Sequence, residues 1–192
     1  MSRGLGALLA VVGVLVLVVL MIFGSYVSAK NQMVAKDQAV KNTWSEVDVQ
    51  LERRADLIPN LVETVKGFTK EESGVYGEIA QAREGLMNAQ TPQAKIAANG
   101  QLDGAMVKFL ALTENYPQLR SSEQFMRLQD ELAGTENRIA VARMRYNNAL
   151  QDYNTFVLQF PNSIWAGMAG FKQNTAYFTA SPASQAVPGV KF

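Results

Sequence analysis

Asp56 and Glu63 stand two helical turns apart and share one helix face, and Glu131 and Glu136 form a second close pair of carboxylates. Paired carboxylates can move protons or grip a hard cation. The chain of 192 residues contains neither Cys nor His. That excludes Ser-His and Cys-His nucleophiles, the usual zinc sites, and a di-iron bundle, which needs Glu-x-x-His on two of its helices. No Gly-rich phosphate loop of the G-x-x-x-x-G-K-[ST] or G-x-G-x-x-G type occurs. Two readings of the acidic residues remain. One is a hard-cation site built from Asp56, Glu63 and Glu136. The other, adopted here, is a set of ion pairs to Arg53, Arg54 and Arg138 across two long helices, fixing register more than adding stability. The expectation is therefore no catalytic residue, no metal and no cofactor, and a protein that is not an enzyme.

The elements that must position these residues read as helices throughout. Val40, Trp44, Val47, Leu51, Ile58, Leu61, Val65 and Phe68 recur at spacings of three and four or their sum, a helix seam. Pro59 lies inside it, predicting a kinked helix over 30–69, with Asn60 bonded to backbone groups freed at the kink. A weaker helix is expected over 71–89. A third should begin at Thr91-Pro92, present Leu102, Met106, Phe109 and Leu110, and run to about Asn115. Ser121 should cap the fourth, whose seam is Phe125, Leu128, Leu132, Thr135, Ile139, Ala142, Tyr146, Ala149, Tyr153, Phe156 and Phe160, ending at Pro161. Thr135 is the polar member of that seam, and Tyr146 and Tyr153 carry hydroxyls that need partners.

No charge separates Arg3 from Lys30, and Leu5–Phe23 is apolar enough to cross a bilayer as a helix. A cleaved signal peptide ending at Val27-Ser28-Ala29 is the competing reading, but the run exceeds the usual apolar region of about 7–15 residues. An uncleaved anchor is the reading adopted. Arg3 on one side and Lys30, Lys36 and Lys41 on the other leave the orientation open. The fold expected is all-α: a short tail (1–4), a transmembrane helix (5–27), an elongated antiparallel bundle of four helices, two of them long (30–160), and an aromatic, Pro-containing C-terminal segment (161–192). The long helices should leave and return toward the bilayer, placing Trp165 and its neighbours near it. The 18 Lys and Arg nearly balance the 17 Asp and Glu, which argues against a nucleic-acid partner.

The segment WSEVDVQLERRADLIPNLVETVKGF (44–68) resembles the core motif of the LemA family of bacterial membrane proteins. The resemblance continues through ENYPQL (114–119), LQDEL (128–132) and TENRIA (135–140), which holds Glu136, Asn137 and Arg138. It also includes the pairs Tyr146-Asn147 and Tyr153-Asn154, then FPN (160–162) and the terminal VKF (190–192). Glu52 departs from it, a basic or neutral residue being common there. The resemblance implies an N-terminal membrane helix, a helical bundle and no established enzymatic activity or ligand. It also implies a bacterial cell-membrane location, a short N-terminus outside the cytoplasm, and TPM-domain membrane proteins as candidate partners.

The function expected is a single-pass membrane-anchored scaffold that binds other proteins or self-assembles. The alternatives are a membrane-surface modulator working through the aromatic tail, and, less favoured, a metal- or ligand-binding bundle. An apolar face left over after internal packing would favour the scaffold; a polar interior cavity would favour a ligand.

Overall fold

The computed structural model describes residues 3–68 and 73–179, which are helical apart from short connections and an irregular stretch after residue 170. The helices are α1 (Arg3–Lys66), α2 (Ser73–Asn88), α3 (Pro92–Thr113), α4 (Pro117–Arg120), α5 (Glu123–Leu158) and α6 (Asn162–Ala169). The all-α class and the helical bundle are as expected, and several boundaries are not. The apolar run and the first bundle helix are one helix, α1, and no proline lies between Gly24 and Lys36 to break it. Thr91 caps α3, its hydroxyl oxygen accepting from the Ala94 N–H at 3.2 Å. Ser121 does not cap α5. Pro117 starts the short α4, and the Ser121 hydroxyl donates back to the Gln118 carbonyl at 3.0 Å. Pro161 ends α5 yet also leads into α6, which closes at Gly170, whose φ of 81° is open to a residue without Cβ.

The chain divides into two compact units. The first comprises residues 1–41 and 149–174, and its buried side chains are Ala29, Met33, Val40, Leu150, Tyr153, Asn154, Val157 and Ala166. The second comprises residues 42–148 and 175–192, of which 175–179 are described at its C-terminal end. Within it, side-chain pairs give the helix directions. Glu46 meets Arg145 and Arg54 meets Glu136, so α1 and α5 run antiparallel. Lys66 over the Tyr76 ring and Arg83 at Ala55 set α2 antiparallel to α1. Glu78 with Lys108 turns α3 back again, and Lys95 with Asp48 makes it parallel to α1. The result is an up-down-up-down bundle.

Three expected seam residues lie outside the core: Phe68, Leu110 and Phe160, at 43%, 38% and 78% exposure. On α5 the reason is geometric. A helix of 3.6 residues per turn drifts about 20° per heptad from a strict seven-residue repeat, so over five heptads the buried face moves one residue along. Leu150 and Val157 are buried where the strict repeat points to Ala149 and Phe156.

Pro59 removes the N–H that would bond the Ala55 carbonyl, and that carbonyl is buried. Arg83 of α2 fills the gap, its Nε donating to the Ala55 oxygen at 2.6 Å while Nη2 lies 3.8 Å from Asp56. Asn60 does not take this role. It is exposed, and its own carbonyl accepts from the Thr64 hydroxyl at 2.8 Å. The proline and the arginine should therefore be coupled. Arg83→Ala should cost about 1–3 kcal/mol in the parent by orphaning a buried carbonyl. In a Pro59→Ala background, where the restored N–H bonds Ala55, the same change should cost about 1 kcal/mol less. A double-mutant cycle of denaturation midpoints measures this, and additivity would refute it.

Candidate interaction site

The second unit is organised around a polar centre made by α1, α3 and α5. Arg54 is 6% exposed on the α1 seam, in the place an aliphatic residue would otherwise occupy. Its Nη1 donates to Asn99 Oδ1 at 3.1 Å and to Asp103, and lies 3.5 Å from Glu136 Oε2. Asn99, one turn before Asp103 on α3, donates Nδ2 to Asp103 Oδ2 at 3.0 Å. Asp103 thus gathers Arg54, Asn99 and, at 3.9 Å, Arg143 of α5. The guanidinium of Arg143 also sits 4.9 Å from the Phe178 ring centroid, and its Nε and Nη2 have no hydrogen-bond partner among the described residues. The charges here compensate one another. Among the described residues no three acidic side chains converge as a metal site would require.

The same centre opens onto a groove of about 610 Å³ with an apolar floor of Met106, Val107, Leu110, Leu132 and Ala133 and a rim carrying Asp130 and Glu136. A second groove, about 750 Å³, runs beside α1 and α5 and is lined by Gln50, Val49, Asn137, Arg138 and Val141 among others. Outward-facing apolar residues are numerous: Val107 is 69% exposed, Val49 58%, Met144 57% and Val141 45%.

Beyond α6 the chain has no regular secondary structure, and side-chain amides bond parts of its backbone. In the first unit Asn154 donates Nδ2 to the Asn174 carbonyl at 2.7 Å and accepts from the Asn174 N–H at 2.9 Å. In the second, Asn147 does the same for Phe178, at 2.8 and 3.0 Å. Each amide thereby supplies the two bonds a neighbouring strand would give. Tyr153 adds a third link, its hydroxyl donating to the Lys172 carbonyl at 2.9 Å. Phe178 stacks on Trp44 at 6.1 Å and meets Tyr146 edge-on at 5.9 Å. The Tyr146 hydroxyl is buried without a hydrogen-bond partner among the described residues, and burial, helped by nearby Tyr177, pushes its pKa up to about 12. The Tyr153 pKa is also raised, by burial first and Asp37 second.

The residues singled out from the sequence separate accordingly. Arg54 and Glu136 meet, and Trp44 and Tyr146 pack edge-on at 5.2 Å. Tyr153 is buried, and Trp165 packs edge-on against Tyr26 at 5.7 Å. Arg53 and Arg138 are exposed, so neither is the buried partner expected of it; Asn137 and Arg138 face the α1/α5 groove. Pro59, Asp56 and Glu63 are exposed, Asp56 facing Arg83 on α2 and Glu63 bonding Lys66 of its own helix at 2.8 Å. The three carboxylates of the hard-cation reading are thus held apart by three different cations. Asn99, Asp103, Arg83 and Arg143 escaped sequence reasoning. An Asn-x-x-x-Asp pair on a buried stripe of α3 was the available signal. The terminal VKF motif lies outside the described residues.

Among the described residues the protein is an all-α bundle whose first helix, α1, carries a stretch long and apolar enough to cross a membrane. Residues 43–192 match the sequence model of the LemA family, and the chain belongs to that family. It is similar to the magnetosome protein MamQ 1 of Paramagnetospirillum magneticum, 26% identical over 94% of this chain and 75% of that protein. MamQ of Magnetospirillum gryphiswaldense is 27% identical over 95% and 76%. Protein LemA of Metamycoplasma hominis is 22% identical over 81% and 71%. The LemA family is not a known enzyme family.

Arg54→Ala should destabilise by about 3–5 kcal/mol, since it leaves Asp103 and Asn99 without their central partner. Arg138→Ala should stay within about 0.5 kcal/mol. Chemical denaturation of both variants checks the contrast. The tyrosines should diverge as well. Tyr146→Phe should be neutral or stabilising, whereas Tyr153→Phe should cost about 0.5–1.5 kcal/mol by abandoning the Lys172 carbonyl. The unfolded Tyr146 phenol ionises near 10.0 and the folded one near 12, so the folded state holds the extra proton between those values. Its contribution is complete below pH 10.0 and is lost as pH rises toward 12. Melting points against pH should fall in that window, and less steeply in Tyr146→Phe.

Proposed function

We propose that this protein is a single-pass scaffold of the bacterial inner membrane, anchored by the apolar part of α1, whose bundle binds other proteins or further copies of itself. The observation that carries the reading is the exposure of the apolar run. Every residue from Gly4 to Ser25 is exposed, and burial on α1 begins only at Tyr26 and Ala29. Fifteen large apolar side chains lie between Leu5 and Phe23. At about 1.5 kcal/mol or more for each, leaving them in water would oppose solubility by more than about 20 kcal/mol, beyond the whole stability of a typical domain. A bilayer removes that cost. Residues 5–27 are accordingly taken as the span, 30–160 as the bundle and 161–192 as a C-terminal segment.

Scaffolding rather than catalysis is supported by how the polar groups are used. Arg54, Asp103, Asn99 and Glu136 compensate one another, while several large apolar side chains face outward: Val107, Leu110, Val49, Val141 and Met144. Apolar residues beside a partly charged rim suit a protein partner. TPM-domain membrane proteins are the candidates suggested by family resemblance.

The test uses the full chain in lipid nanodiscs and in native membranes. Carbonate-resistant sedimentation is expected, together with crosslinks from the groove beside α3 and α5 to a second copy or to another membrane protein. Val107→Glu with Leu110→Glu should abolish those crosslinks while leaving helicity unchanged. A carbonate-soluble chain would overturn the anchor. A monodisperse monomer without crosslinks, in native membranes as in nanodiscs, would overturn the scaffold.

A further inference from the structure

We propose that α6 and the turn before it form a lipid-facing foot, with Phe160, Ile164 and Met168 seated in the bilayer interface at the C-terminal end of the apolar span. The inference rests on the reading of that span as a membrane anchor and adds a second contact with the same bilayer.

The placement comes from one pair of rings in the first unit. Trp165 of α6 meets Tyr26 of α1 edge-on, with centroids 5.7 Å apart. Tyr26 is the first residue of α1 to lose exposure, three residues past Phe23, where the large apolar run ends. At 1.5 Å per residue that is about 4.5 Å beyond the run, the level at which a bilayer's hydrocarbon gives way to its headgroups. Trp and Tyr favour that level, since each joins an apolar body to a polar tip.

The sidedness of α6 supplies the rest. Its inner side is taken up by Ala166, which is 2% exposed, and by the half-buried Trp165. Its outer side carries Ile164 at 51% and Met168 at 70% exposure, and Phe160 in the preceding turn is 78% exposed. These follow one another every four residues, so Ile164 and Met168 share a helix stripe and Phe160 enters it. No charge occurs between Asp152 and Lys172. A short helix bathed in water would carry charges on that outer side; this one carries large apolar groups. Lys172 is exposed just past the helix, where a long stem can lie along apolar surface with its ammonium in the headgroup layer. The stripe also belongs to the same unit as the exposed apolar surface of the span, so a single lipid phase can cover both. An interfacial helix lying in the plane of the bilayer is the arrangement that fits.

The absence of cysteine makes depth measurement direct. Single substitutions Ile164→Cys and Met168→Cys in the full chain are labelled with an environment-sensitive fluorophore. The protein is reconstituted in phosphatidylcholine–phosphatidylglycerol vesicles with and without brominated acyl chains. Val14→Cys reports the span, and Gln81→Cys, exposed on α2, reports water. Labels at 164 and 168 should be blue-shifted, shielded from iodide, and quenched by brominated lipid at least about twofold more than the label at 81. Iodide access and lipid quenching equal to those at 81, with the label at 14 still quenched, would overturn the foot and leave the anchor standing. An unquenched label at 14 would overturn both. Shielding from iodide without lipid quenching, disappearing as protein is diluted in lipid, would mean that a second copy covers the stripe, and would also overturn the proposal.

Discussion

A guanidinium held at 6% exposure in a helical core cannot be left uncompensated, and the bundle is arranged around meeting that demand. Arg54 reaches Asn99 and Asp103 on α3 and Glu136 on α5 from a single position on α1. Sliding any of these helices by one turn, about 5.4 Å, would strand the cation or its carboxylates in a low-dielectric interior. Aliphatic seams tolerate such slips far better, because one branched side chain replaces another. The remaining bundle helix, α2, is tied by a different necessity. Pro59 leaves the Ala55 carbonyl without its helical donor, and Arg83 of α2 supplies one at 2.6 Å. α1 is therefore held to α3, α5 and α2 by polar demands that one register meets.

The irregular stretch after α6 meets the same constraint without a sheet. Its backbone groups need partners, and Asn154 and Asn147 provide them through amides that donate and accept at once. The two asparagines are seven residues apart in sequence, and each follows a buried tyrosine of its own unit. Phe178 is then held between Trp44, Tyr146 and the Arg143 guanidinium.

Function follows from what this internal bookkeeping leaves over. The polar groups are largely consumed in holding the helices together, whereas apolar groups remain outward on α1, on α3, on α5 and on α6. In a chain of the LemA family that begins with a membrane-length apolar helix, such surfaces are suited to lipid and to other proteins.

The sequence by itself determined the helical class, the apolar segment and most of the buried seam, because periodicity and apolar length are local properties that one chain reports directly. It carried the Thr91-Pro92 cap for the same reason. It did not locate the partners of its charges. Asp56 and Glu63 share a helix face, yet the first turns to Arg83 and the second to Lys66, while Arg54 rather than Arg138 enters the core. Those choices depend on which stripe of α2 and α3 reaches α1, and on the roughly 20° per heptad by which a real helix departs from a seven-residue repeat. Only the tertiary structure decided them. Ion pairing between helices is settled by side-chain reach across space, whereas helix formation is settled by neighbours three and four residues away.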